Sequence, residues 1–178
     1  ILHRFPDEQP NFNLGINNNL ADLTFSTLNN GVFLLNDGIN GESGYGIAMN
    51  GDKGIEEESL RTPQYVKLNN SIANAGSIYL SSTTLSLGTG PYGKGEIVSD
   101  GDPVTKMTLS NAAFDLYNKY QDMVNLKGWK ASGDSFLHVD VDVENLTADV
   151  LNVNGNVEGT TKLVLYPTSD KDLSLIHI

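Results

Sequence analysis

The sequence predicts an all-β chain, and three observations point there. The stretch FLHVDVDVENLTADVLNVNGNVEGTTKLVLYP, from Phe136 to Pro167, alternates apolar and polar residues between turn signals. Two earlier segments, IYLSSTTLSL (78–87) and MTLSNAAFDL (107–116), match position by position. Glycine (18 residues) and asparagine are abundant, as many short turns require, and helical periodicity is weak. Short strands without crossover helices leave two architectures: a sandwich or barrel, and a right-handed parallel β-helix whose turns share one narrow core. The β-helix, with irregular loop excursions, is the expected fold.

Length and composition agree with one folded unit. The chain has 178 residues, 39% hydrophobic and 19% charged. Its formal net charge is -11 with a pI near 4.5, which repels nucleic-acid backbones and anionic membrane faces. With no cysteine, disulfides, thiolate nucleophiles and cysteine-based metal sites are ruled out. No stretch has the length of a transmembrane helix. The chain opens on Ile1-Leu2-His3-Arg4 without methionine, so an internal piece of a longer protein is expected and the missing signal peptide carries little meaning.

Along the chain, NNGVFLLND, with Val32 and Leu34, suits an early rung. From residue 38 to 76 the pattern fades into polar, glycine-rich sequence, and 88–103 is similar; both read as loops leaving a rung. Within the first, IEEESLRTPQY allows one helical turn before Pro63 stops it. The paired segments then align Ile78 with Met107, Leu80 with Leu109, Ser81 with Ser110, Leu85 with Phe114 and Leu87 with Leu116. LSNAAFDLYNKYQDMVNL also fits an amphipathic helix through Leu109, Ala113, Leu116 and Tyr120, and propensity alone does not choose between helix and short strands. Further on, Leu137, Val139, Val141 and Val143 point one way and Phe136, His138, Asp140 and Asp142 the other. Glu144-Asn145 is a turn candidate. Val150 or Leu151, with Val153, makes the next strand. Asn154-Gly155 is a turn pair that tolerates positive φ. Val157 follows, Glu158-Gly159 turns again, and Leu163 and Leu165 close the run. The final LSLIHI (173–178) is expected to be sequencing-adaptor read-through rather than native chain, with a genuine apolar strand as the alternative. On that reading the partial β-helix region spans 1–172, and the natural protein is expected to continue beyond about Lys171.

The segment from Ser135 to Leu165 resembles the passenger region of bacterial autotransporters near its C-terminal end, a pertactin-like parallel β-helix. The resemblance rests on Asp140-Val141-Asp142, on Ala148-Asp149-Val150-Leu151-Asn152-Val153-Asn154-Gly155, and on Gly159-Thr160-Thr161-Lys162-Leu163-Val164-Leu165. FDLYNKYQDMVNLKGWKASG upstream looks like the family's rungs. About the last third of the chain is covered well. The resemblance implies a stalk or adhesin-like scaffold without catalysis, exported to the extracellular surface of a Gram-negative outer membrane. It implies as partner the protein's own downstream outer-membrane β-barrel, with host or neighbouring-cell glycans or proteins as further contacts.

The candidate sites are few. Gly88-Thr89-Gly90-Pro91-Tyr92-Gly93-Lys94-Gly95 approaches a phosphate-binding loop but has Gly95 where Ser or Thr must reach magnesium, so it reads as a flexible loop. Asp140, Asp142, Glu144 and Asp149 form the densest carboxylate group. A solvated acidic face is expected, a weak divalent-ion site or a glycosidase pair being the alternatives. His138 is expected on the surface, with Ser135 on the opposite face; His3 and His177 lie too near the ends to complete a metal cluster or a triad. Trp129 is expected to cap the core or pack under a loop, rather than to stack on a sugar with Tyr117 and Tyr120. Asn145-Leu146-Thr147 reads as a turn. No catalytic, cofactor-binding or metal residue is assigned, and no nucleic-acid partner. The rival function is a β-helical polysaccharide-degrading enzyme or a carbohydrate-binding module.

Overall fold

A computed structural model of the chain describes residues 2–4, 11–12, 22–27, 32–35, 39–51, 65–68, 71–88 and 95–168. In chain order the strands are β1 (Leu2–Arg4), β2 (Asn11–Phe12), β3 (Leu23–Thr27), β4 (Val32–Leu35), β5 (Ile39–Asn40), β6 (Gly46–Gly51), β7 (Tyr65–Leu68), β8 (Ile72–Ala73), β9 (Ser77–Ser81) and β10 (Thr84–Leu87). They continue as β11 (Glu96–Val98), β12 (Lys106–Ser110), β13 (Ala113–Asp115), β14 (Met123–Leu126), β15 (Gly128–Ser132), β16 (Phe136–Asp142), β17 (Thr147–Ala148), β18 (Val150–Val153), β19 (Val157–Gly159) and β20 (Lys162–Pro167). No helix occurs among the described residues.

Apart from β16 with β17, successive strands do not pair with each other. They visit three sheets in rotation, and each pairs with its counterpart one turn away. The first sheet runs β1-β3-β6-β9-β12-β15-β19; the second runs β17-β16-β13-β10-β7-β4-β2, with β20 on β16; the third runs β18-β14-β11-β8-β5. All of these pairs are parallel except β16 with β17. The molecule is therefore a parallel β-solenoid of about four turns.

The core consists of columns of like side chains. In the first sheet Ile47, Ile78, Met107 and Trp129 stack in register, beside Met49, Leu80, Leu109 and Ala131. The second stacks Val66, Leu85, Phe114 and Leu137; the third stacks Ile39, Ile72, Ile97, Val124 and Leu151. Nearly all are fully buried in one cluster. The alignment of 78–87 with 107–116 read from the sequence is the observed register, with Ile78 on Met107, Leu80 on Leu109, Ser81 on Ser110 and Leu85 on Phe114. That register decides for strands over a helix across 109–126.

A single left-handed residue makes the corner between the first and second sheets. Ser82 (φ 52°), Asn111 (φ 47°) and Gly133 (φ 64°) each follow the last residue of a first-sheet strand. Asparagine and glycine tolerate this conformation best, and Ser82 is held by donating its N–H to the Ser110 carbonyl one turn on.

Three expectations change. Strands β5, β6, β7 and β8 run within 38–76, and β11 within 88–103, although both stretches read as loops. A rung needs only two inward residues per strand, as in Ile47 and Met49, and glycine on either side hides so short an alternation. Residues 52–64, with the helical turn expected there, lie outside the described residues, as do 89–94 and the tail 173–178. Asn154-Gly155 does not take positive φ and joins strands of two different sheets, β18 and β19. Gly155 is needed for close approach, since a Cβ there would overlap the Lys127 carbonyl oxygen. Gly159 does take positive φ, at 85°. The third change concerns the second sheet, whose outward residues Thr84, Ser86, Asp115, His138 and Asp140 are as buried as its inward ones.

Phe114 stands mid-column, fully buried, with Leu85 and Leu137 on either side and the Trp129 ring 6.4 Å away. Phe114→Ala is expected to cost about 3–5 kcal/mol, read as a lowered urea midpoint.

Candidate functional site

The densest polar constellation lies where the chain turns from the second sheet into the third. Gly95, Asp122 and Asp149 are the residues just before β11, β14 and β18, so the register of those strands places them in one column. Asp122 Oδ1 accepts the Gly95 N–H at 2.8 Å, and Asp149 Oδ1 accepts the Asp122 N–H at 2.8 Å. Each carboxylate thus extends the parallel ladder by one step beyond the strand. Their second oxygens lock the loops: Asp122 Oδ2 accepts from Asn118 Nδ2 (2.5 Å) and Asp149 Oδ2 from the Asp140 N–H (2.6 Å). Asp140 Oδ2 in turn accepts the N–H groups of Asn118 (2.9 Å) and Lys119 (2.6 Å). Lys119 is in the left-handed region at φ 69°, so Asp140 clamps a bend that few side chains favour.

Burial, and to a smaller extent the stacking of acids, perturbs their titration. Burial raises Asp122 from 3.8 to about 7, against the opposing bonds from Gly95 and Asn118, and the charges of Asp149 and Asp140 raise it further. Burial likewise raises Asp149 to about 6, opposed by the Asp140 and Asp122 amides and reinforced by the charges of Asp140 and Asp115.

A second polar column crosses the buried outer side of the second sheet. Ser86 Oγ donates to Asp115 Oδ2 at 2.9 Å, and Asp115 Oδ1 lies 3.5 Å from His138 Nδ1. The order is Ser–Asp–His, whereas nucleophile activation needs the imidazole against the hydroxyl. All three are at most 1% exposed, so no substrate reaches them. Tyr166 meets the His138 ring edge-on at 5.6 Å, and Tyr117 packs on Tyr166 with centroids 4.6 Å apart.

The residues singled out from sequence are thus redistributed. His138 and Asp140 are not on a solvated face: β20 pairs alongside β16 and brings the Tyr166 ring against His138, Tyr117 packs on Tyr166, and the two residues are 1% and 2% exposed. Asp142 caps a turn, accepting the N–H groups of Glu144 and Asn145 (both 3.0 Å), while Glu144 itself is exposed. Asn145-Leu146-Thr147 is the turn expected; Leu146 has φ 54° and leads into the short antiparallel pair of β16 with β17. Ser135 bonds the Ser132 carbonyl at 2.8 Å. Trp129 belongs to the core, its indole N–H donating to Thr161 Oγ1 at 2.9 Å, and Tyr120 is exposed. The His3 side chain, His177 and residues 89–94 of the glycine loop lie outside the described residues. Among the described residues, no group of three or more His, Asp or Glu side chains is placed to hold a metal ion.

Asp122, Asp115 and Ser86 escaped the sequence reading. A signal for Asp122 exists: Asp122-Met123-Val124-Asn125-Leu126 repeats as Asp149-Val150-Leu151-Asn152-Val153, 27 residues on. The shared asparagine is structural too, Asn152 Nδ2 donating to Asn125 Oδ1 at 3.0 Å. Comparison with protein-family models, curated proteins and solved structures gives no match.

The raised Asp122 and Asp149 fix a sign. Their folded pKa values exceed the unfolded one, so the stability they contribute is fully present below pH ~4 and is lost as pH rises through about 6 to 7. The melting temperature is expected to fall between pH 5 and pH 8. Asp122→Asn should flatten that slope while lowering stability at pH 5 by about 1 kcal/mol, because its amide meets the Asn118 donor. Thermal melts of both proteins across that range check it.

Proposed function

We propose that the chain is a passenger-type segment of a surface-displayed protein, a rigid stalk or adhesin-like scaffold rather than an enzyme. The observation that carries this reading is the parallel register of three sheets, interrupted only by the short β16–β17 pair, which makes a stiff element that lengthens by adding rungs. The likeness to autotransporter passengers supports it further, because the residues behind that likeness have defined work in the solenoid. Asp140 clamps the 118–119 bend, Asp149 caps the amides of Asp122 and Asp140, and Leu163 and Leu165 extend the second-sheet columns over Leu137 and Val139. The proposal includes export to the outer surface of a Gram-negative cell and a β-barrel further along the natural chain. A polysaccharide-degrading site calls for carboxylates open to a groove; Asp122, Asp140 and Asp149 are instead committed to backbone N–H groups.

Export is tested on cells producing the complete natural gene product. Lys106, Lys127 and Lys130 are exposed, so a membrane-impermeant amine reagent should label this region on intact cells. Labelling only after permeabilisation would overturn surface display.

A further inference from the structure

The first sheet turns an outward face to solvent that the stalk reading leaves unused. Its strands alternate strictly, so outward residues form columns as regular as the core. One holds Ala48, Tyr79, Thr108, Lys130 and Glu158; its neighbour holds Gly46, Ser77, Lys106 and Gly128. Lys106, Lys127 and Lys130, all exposed, line one cleft of about 410 Å³ together with Asn154 and Asn156. Gly128 opens the cleft: a Cβ there would meet only ordinary contacts, Asn156 O at 3.5 Å and Lys106 Cγ at 3.7 Å.

Three cations gathered in a chain of net charge -11 run against its overall field. Lys130 pairs with Glu158 at 3.5 Å, both well exposed, a contact that gives way readily. Among the described residues, Lys106 and Lys127 have no carboxylate within ion-pair distance. Thr108, Asn154 and Asn156 add hydroxyl and amide groups to the lining, and Met107 and Trp129 add apolar surface. Tyr79, 41% exposed, stands one strand along from Thr108.

From this geometry we propose that the outward face of the first sheet binds an acidic oligosaccharide, with Lys106, Lys127 and Lys130 taking its anionic groups. Thr108, Asn154 and Asn156 suit the hydroxyls, and Tyr79 offers a ring face for one sugar. A saccharide fits better than a nucleic acid: Glu158 and the acidic surroundings tolerate a sparse charge and repel a phosphate on every unit. The ligand lies along the solenoid axis, where strands repeat every ~4.8 Å, close to the rise of one ring in an extended glycan. The site belongs to the folded chain and does not depend on surface display.

Calorimetric titration of the 178-residue chain with oligogalacturonate, dextran sulfate and neutral dextran tests it. Saturable binding to the carboxylated or the sulfated sugar, weakening with salt and absent for dextran, is expected, and the two acidic ligands tell carboxylate from sulfate preference. Lys106→Glu with Lys127→Glu should weaken binding at least tenfold. Gly128→Leu should block the cleft without changing the melt. Glu158→Gln should tighten binding by freeing Lys130, and this variant decides the matter if the double reversal fails to fold. No saturable binding, binding indifferent to all these changes, or equal binding of single-stranded DNA of matched charge would overturn the site.

Discussion

Every part of this molecule depends on one constraint: each turn must land in register on the turn before it. A single rung has too few apolar side chains to exclude water from itself, and its backbone groups on both edges need partners. Both requirements are met together only when Ile78 lies over Ile47, Leu85 over Val66 and Ile97 over Ile72. A one-residue slip would turn the inward column of a strand outward while leaving its hydrogen bonds possible, so side-chain burial sets the register and the ladder enforces it. The corners absorb what the strands cannot. The spacing between stacked first-sheet strands changes from turn to turn, yet the left-handed residue after the strand recurs at Ser82, Asn111 and Gly133.

The aspartates before the third-sheet strands belong to the same logic. At the entries to β11 and β14 a backbone N–H is met by a side-chain oxygen of the next turn. Asp122 and Asp149 supply oxygen for the Gly95 and Asp122 amides and thereby continue the ladder into the corner. The cost is that these carboxylates are held in a partly dry environment, with like charges one above another as a smaller addition, and their raised pKa values express it. Asparagine, which has only one accepting oxygen, would satisfy the amide above without also holding Asn118 or the Asp140 N–H.

The strand content and parallel stacking were legible because they rest on short-range alternation and on one internal match, 78–87 with 107–116, whose members are adjacent in the fold. Of the earlier strands, β4 was legible in NNGVFLLND, whereas those within 38–76 were not: two inward residues between glycines leave no periodicity to detect, as β6 illustrates. The polar constellation was misplaced for a different reason. Alternation assigns His138 and Asp140 to the side away from the core, which is correct, but it does not say whether that side meets water. Burial there comes from β20 and from tyrosines 117 and 166, distant in sequence and brought together only by the winding. Asp122 lay in a repeat whose apolar positions are too few to stand out without knowledge of the register.

Trp129 is the chain's one tryptophan, and its indole N–H reaches Thr161 on the following turn while its ring neighbours Phe114. The molecule therefore carries a built-in optical gauge. Its ultraviolet emission colour reports whether the segment that contains Thr161 is seated on the body of the solenoid, and is silent about the opposite end. In an array where coupling passes only between neighbours, fraying of the last turn can then be followed separately from collapse of the whole.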